Sequence, residues 1–159
     1  VSTGNLRIVS GGQSGVDRGA LDAALAHGCP CGGWCPEGRL AEDGPIPARY
    51  PLRELPGGGY RARTRCNVRD SDATLIVTFG TPTGGTATTL DDGRALGRPV
   101  LVIDGDTVDI ATAAEHLGAF LAQHHVAVLN VAGPRASGHA GAYAYARALL
   151  ERHLSGAAA

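Results

Sequence analysis

The sequence predicts a single α/β domain with a mainly parallel sheet covered by helices on both faces. Three observations carry that expectation. Five short apolar runs alternate with longer amphipathic stretches along 159 residues, a length that suits one domain and is short for two. Two of these runs pass through glycine-rich loops, residues 10–18 and 80–86, directly into helix-forming sequence. The run at residues 73–79, Ala-Thr-Leu-Ile-Val-Thr-Phe, is apolar nearly throughout, as a strand buried on both faces should be.

Residues 6–9 form the first predicted strand. The loop after it, Ser10-Gly11-Gly12-Gln13-Ser14-Gly15, sets three glycines within five residues, so the backbone can turn sharply and leave its N–H donors open to an anion. Val16, Ala20, Leu21, Ala24 and Leu25 then recur at helical spacing as far as Gly28, and Ser14 with Asp17 makes an S-x-x-D capping pattern at the helix start. Residues 31–35 read as a short second strand. Residues 36–59 hold five of the nine prolines together with Gly57-Gly58-Gly59, a composition that forbids regular structure. Trp34, Ile46, Tyr50 and Leu52 give this stretch something to pack with, so an ordered flap is expected.

Residues 60–70 predict a helix with Tyr60, Thr64 and Val68 on one side and Arg61, Arg65 and Arg69 on another. Like charges at that spacing cost about 0.2–0.5 kcal/mol per pair, a conflict that an anion would relieve; the competing readings are a solvated helix face or salt bridges to residues elsewhere in the fold. The third strand, residues 73–79, runs through a second Gly/Thr loop into a helix over residues 86–96 that ends at Gly97. Residues 99–103 make a fourth strand, followed by the acidic turn Asp104-Gly105-Asp106. Ile110, Ala114, Leu117 and Leu121 mark the next helix, and residues 126–131 a fifth strand. A third polar loop, residues 132–138, leads into a last helix with Ala142, Ala146, Leu149 and Leu150 inward. Residues 155–159 read as a frayed tail, leaving a domain over residues 1–154.

Counted along the chain, the expected strand order is 2-1-3-4-5. That order makes the first and third strands neighbours and sets the crevice between them at the carboxyl ends, where open α/β sheets bind ligands. The prediction is a cleft with one glycine loop on each wall: Gly11, Gly12, Gln13, Ser14 and Gly15 against Thr83, Gly84, Gly85 and Thr86. Two helix N-termini would then aim their amides at a phosphate or similar oxyanion. Arg18 and Arg69 offer bidentate pairing to it, and Arg135 on the third loop adds a cation at the rim. For Arg18 and Arg69 a salt bridge is the competing reading, for example Arg69 with Asp70 or Asp72. The opening loop is neither G-x-G-x-x-G nor a P-loop, which would need a lysine.

Composition excludes several functions. A formal net charge of -1 argues against a dedicated nucleic-acid binder, although six of the 14 basic residues, all arginine, fall between Arg49 and Arg69. No apolar run approaches the ~18 to 20 residues that cross a bilayer, and no signal-peptide pattern opens the sequence, so a cytoplasmic protein without membrane partners is expected. Cys29, Cys31 and Cys35, with His27 near, do not have zinc-ligand spacing; reduced thiols and no metal site are expected.

Six segments together carry a wider likeness: Ser10-Gly-Gly-Gln-Ser-Gly-Val-Asp-Arg18, Gly33-Trp-Cys-Pro36, Glu42-Asp-Gly-Pro-Ile-Pro-Ala-Arg-Tyr-Pro51, Asn67-Val-Arg-Asp-Ser-Asp72, Thr83-Gly-Gly-Thr86 and Leu129-Asn-Val-Ala-Gly-Pro-Arg-Ala-Ser137. In that order, over nearly the whole chain, they resemble the molybdenum cofactor carrier family. The resemblance implies a Rossmann-like fold, a homo-oligomer (dimer or tetramer), and a small anionic ligand, molybdenum cofactor, a phosphate-bearing pterin whose dithiolene holds an oxo-metal. It implies binding and shielding of that ligand rather than catalysis, with the flap as a lid. The alternative is a nucleotide-binding or nucleotide-processing enzyme related to the LOG phosphoribohydrolases. Those relatives use a P-G-G-x-G-T-x-x-E loop, whereas Gly84-Gly85-Thr86-Ala87-Thr88-Thr89-Leu90-Asp91 keeps the paired glycines and lacks the glutamate. Asp91 or Asp92, in a shifted register, and Asp17 and Asp43 are the remaining candidate carboxylates.

Overall fold

The computed structural model describes residues 5–158. Strand β1 (Arg7–Val9) leads through the first glycine loop into α1 (Val16–Ala26), and β2 (Cys31–Gly32) follows. Four short strands come next: β3 (Trp34–Pro36), β4 (Leu40–Ala41), β5 (Gly44–Pro45) and β6 (Arg53–Leu55). The rest of the chain alternates, as α2 (Tyr60–Arg69), β7 (Ala73–Thr78), α3 (Gly84–Ala95), β8 (Val100–Asp104), α4 (Ile110–Gln123), β9 (Val128–Ala132) and α5 (Ala142–Ala158). No helix among the described residues is long and apolar enough to cross a membrane.

The main sheet is parallel and runs β2-β1-β9-β7-β8. The fold is the expected Rossmann-like α/β class, but the strand order 2-1-3-4-5 is wrong. In the same counting the order is 2-1-5-3-4: the fifth predicted strand lies in the middle, between the first and the third. The cause is long-range packing. α5 follows β9 and lies on α1, where Ala20, Ala23 and Ala24 meet Ala142, Ala146, Leu149 and Leu150 in one buried cluster. Gly19 allows that approach, since a Cβ there would stand 2.6 Å from the Tyr143 carbonyl oxygen. Small residues bring the two helices together, and β9 comes in with α5. Leu129 and Val131 are fully buried as a result.

Three local expectations also change. The predicted strand at residues 31–35 breaks at Gly33, which has a φ of +132° and lies so close to Ser10 that a Cβ would stand 2.3 Å from the Ser10 carbonyl oxygen; only glycine suits both. Beyond the break, β3 leaves the main sheet and pairs with β6. The flap at residues 36–59 is ordered, yet it is not devoid of regular structure: it holds the β4–β5 hairpin and β6. Its Ile46 and Tyr50 pack with Leu21 and Cys35 in a second apolar cluster. The Arg39 guanidinium binds the carbonyls of Ile46, Pro47, Tyr50 and Leu52, satisfying acceptors that a ladder of strands would satisfy elsewhere. At the other end, α5 continues through Ser155 to Ala158 where fraying was expected; Ala159 lies outside the described residues.

Candidate functional site

A cleft of about 520 Å³ opens at the carboxyl ends of β1, β9 and β7, with α2 along one side. Gly11, Gln13 and Asp17 form its first wall, and Thr83, Gly85 and Thr86 the opposite one. The loop after β9 lies between them and contributes Gly133, Arg135 and His139. The two glycine loops therefore do share one cleft, but with a strand between them.

The first wall differs from the open anion cradle the sequence suggests. Its amides are already occupied: Gln13 N–H donates to Asp17 Oδ2 (3.2 Å), Ser14 N–H to Gln13 Oε1 (3.1 Å), and Val16 N–H to the Pro134 carbonyl (3.2 Å). The glycines serve close approach by three different segments. A Cβ on Gly11 would overlap the Arg63 guanidinium at 1.7 Å, one on Gly12 (φ +75°) would meet Leu52 Cδ1 at 2.3 Å, and one on Gly15 (φ +85°) would meet the Pro134 carbonyl oxygen at 2.4 Å. Gly12 and Gly15 thus face the flap and the third loop, and neither lines the cleft.

Ser14 and Arg18 are likewise committed to structure. The cap of α1 is Gly15, with no side-chain bond, so Ser14 is not the N-cap. Its hydroxyl instead donates to Glu42 and accepts from Ala136 N–H (3.2 Å). Arg18 pairs through both terminal nitrogens with Asp43 and donates from Nε to the Gly12 carbonyl (3.0 Å). It holds the flap and is absent from the cleft lining.

Asp17 and Arg63 are the buried charges of this wall. Arg63 Nη1 stands 3.6 Å from Asp17 Oδ2, and both residues are about 7% exposed. Burial pushes the Asp17 carboxyl up to about 6, against the opposing pull of Arg63 and of the Gln13 N–H. Arg63 was missed by the reading of the arginine stripe, which takes the other side of α2. A signal did exist: Tyr60, Arg63, Thr64 and Asn67 recur at i, i+3, i+4 and i+7, a polar face at the spacing of a buried one.

The arginine stripe itself meets acidic partners while remaining on the surface. Arg61 pairs through both terminal nitrogens with Asp92, and Arg65 reaches the same carboxylate at 3.6 Å, tying α2 to α3. Arg69 pairs with Asp70 at 2.8 and 3.0 Å on the surface and does not line the cleft it was expected to join. Asp92 is thereby committed to two arginines, Asp91 is exposed, and Asp43 sits on Arg18; of the candidate carboxylates only Asp17 lines the cleft.

The second wall matches the expectation better. Thr83 caps α3 in an extended conformation without a side-chain bond, and Ala87 N–H returns to the Thr83 carbonyl (3.3 Å). Among the described residues no acceptor meets the N–H groups of Gly84, Gly85 or Thr86, so the positive end of α3 is open. Gly84 (φ +53°) starts the helix without lining the cleft, whereas a Cβ on Gly85 would enter open space. Aromatic rings frame this end: Phe79 stacks on His139 with centroids 3.8 Å apart, and Arg135 lies over the Tyr60 ring at 4.8 Å. Phe79, Tyr60, His139 and Asn130 were not singled out as site residues from the sequence.

The cysteines are free thiols, with Cys35 buried in the second apolar cluster. Burial raises the thiol pKa values of Cys29, Cys31 and Cys35.

Fold and cleft together define a Rossmann-like α/β domain with its crevice at the carboxyl edge of a parallel sheet. The chain belongs to the circularly permutated YpsA SLOG family, whose pattern matches residues 8–154. A circular permutation is the kind of rearrangement that puts the last strand of a chain beside its first. Among solved structures, the chain is similar to the crystal structure of a protein named "Putative molybdenum carrier protein" from Syntrophus aciditrophicus SB. The identity is 46% and the TM-score 0.91, over 93% of this chain and 94% of that one. No curated protein matches the chain.

Proposed function

We propose that the cleft binds and shields a phosphate-bearing anionic ligand, and that its cargo is molybdenum cofactor. The observation that carries this reading is the open N-terminus of α3: the free N–H groups of Gly85 and Thr86 face a cleft of about 520 Å³ that also presents Arg63 and Arg135. That volume falls within the range of sites for cofactor-sized molecules. Thr83 and Thr86 add hydroxyls beside the amides, a combination suited to phosphate oxygens. The name of the similar solved protein supports the choice of a molybdenum-related ligand. Cargo of this kind needs retention and exclusion of water, which suits a cleft walled by α2 and the loop after β9; no residue of the flap lines it. A homo-oligomer, dimer or tetramer, is part of the same reading; the edge strand β8, with Val102 41% exposed, offers surface for it.

One observation favours a second reading, a nucleotide-processing enzyme. Asp17 faces the cleft with its carboxyl pushed up to about 6 and Arg63 beside it, an acid near neutrality next to a cation. Native mass spectrometry of the protein as purified tests the two. Co-purifying pterin and molybdenum support the carrier; a nucleotide, with turnover of nucleoside monophosphates lost in Asp17→Asn, supports the enzyme. A protein that retains neither, and binds neither when they are added, overturns both.

A further inference from the structure

The two walls of the cleft are chemically unlike. The wall at α3 offers unpartnered amides to an anion, whereas the wall at α1 has its amides occupied and carries a carboxylate. One donor on the α1 wall remains unmatched. Gln13 is 5% exposed and lines the cleft, and its Nε2 is buried with no hydrogen-bond partner.

The orientation of this amide is fixed. Gln13 Oε1 accepts from two backbone donors, Ser14 N–H at 3.1 Å and Glu42 N–H at 2.8 Å. Exchanging oxygen and nitrogen would set an NH₂ group against both donors, so Nε2 stays on the branch that has no acceptor. A buried donor left without a partner costs about 1–3 kcal/mol, and a bound ligand can remove that cost. Beside it, Gln13 N–H binds Asp17 Oδ2, so a side-chain donor and a carboxylate acceptor lie next to each other.

The sheet order sets the separation. Because β9 lies between β1 and β7, the two walls are two strand spacings apart, about 10 Å. A lone phosphate cannot reach both, but a phosphorylated heterocycle can.

We propose that Gln13 Nε2 is a ligand-binding donor that reads a ring acceptor, a carbonyl oxygen or imine nitrogen, of a heterocycle whose phosphate sits at the α3 N-terminus. This rests on the reading of the cleft as a phosphate-ligand site and adds the other half of the ligand. An acceptor flanked by an N–H donor, on the ring or on an exocyclic amine, is shared by pterins and purines, and the donor–carboxylate pair of Gln13 and Asp17 complements that edge.

The test titrates the full chain with a phosphorylated pterin, GMP, AMP and inorganic phosphate by calorimetry. Gln13→Met removes both polar atoms without adding charge; Gln13→Glu keeps the oxygen that holds Ser14 and Glu42 while replacing the donor. Whichever ring ligand the wild type binds should lose about tenfold in affinity in both variants, and inorganic phosphate should change less than twofold. Gly85→Val should lose both classes of ligand. In the wild type, the Gln13 side-chain amide resonances should shift with the ring ligand and stay in place with inorganic phosphate, a readout independent of the variants' folding. Equal ring-ligand affinity in wild type and both variants, with unmoved resonances, overturns the role of Gln13 and leaves the phosphate site standing. Failure of the wild type to bind any of the four probes overturns the reading of the cleft and this inference with it.

Discussion

Gly12 and Gly85 look alike in the sequence, each a glycine in a loop between a strand and a helix, and the structure gives them opposite roles. Gly12 turns its α-carbon toward Leu52 and Ile46 with φ +75°, so Gly12→Val should lower stability by about 1–3 kcal/mol by forcing the flap outward. Gly85 faces open space at the start of α3. Gly85→Val should keep the ligand-free midpoint of thermal unfolding within a few degrees while abolishing ligand retention, as read by calorimetry and native mass spectrometry. Asp17 belongs to the same scale. Its carboxyl is raised from 3.8 to about 6 by burial, so the folded state holds a proton that the unfolded chain has released. Stability should therefore fall as pH rises from about 4 to about 7, by about 3 kcal/mol from this group alone. Subtracting the urea-unfolding profile of Asp17→Asn from that of the wild type isolates the effect; a flat difference over that window would refute it.

Among the elements, the flap is tied through Glu42 to two loops from opposite ends of the chain. Its Glu42 carboxylate accepts from the Ser14 and Ser137 hydroxyls and from Ser137 N–H (3.2 Å), joining the loops after β1 and β9, and neighbouring Asp43 holds Arg18. The two serine hydroxyls keep the Glu42 carboxyl below its usual range. A group depressed in this way contributes above its ordinary pKa and loses that contribution as pH falls through the depressed value. Glu42→Ala should speed proteolysis within residues 36–59, while the α1–α5 core, built on Gly19 and its alanine neighbours, retains its hydrogen-exchange protection. Acidification of the wild type should reproduce the faster cleavage. The sequence displayed Glu42 and Asp43 inside a recognisable segment, but it offered no way to see that Glu42 binds hydroxyls and a backbone N–H contributed from both ends of the chain, or that Asp43 binds the Arg18 guanidinium.

For the molecule as a whole, the position of β9 is the decisive fact. A chain ending at residue 125 would lose only an edge strand and a helix in the order 2-1-3-4-5; in the observed order it loses the middle strand and leaves β1 and β7 without the strand that joins them. Such a truncation should show no cooperative unfolding transition by circular dichroism. The same insertion widens the cleft by one strand and brings the loop with Arg135 and His139 between the walls. The identity and approximate limits of β1, α1, β7, α3, β8, α4 and β9 were legible, because runs of apolar residues with period 2 or 3.6 are local properties that any backbone must satisfy. The open end of α3 was legible for the same reason, as a strand, a Gly/Thr turn and a helix start in succession. Arg63 against Gly11, the retirement of Arg18 and Arg69 into salt bridges, and the orphaned amide of Gln13 were not. Each depends on which segment arrives opposite, and segments far apart in the chain meet only through the packing of α5 on α1 and of the flap on the first loop. Local pattern specifies what each stretch can form; the long-range contacts, which bury apolar surface that no single stretch can bury alone, select its neighbours and so the chemistry of the cleft.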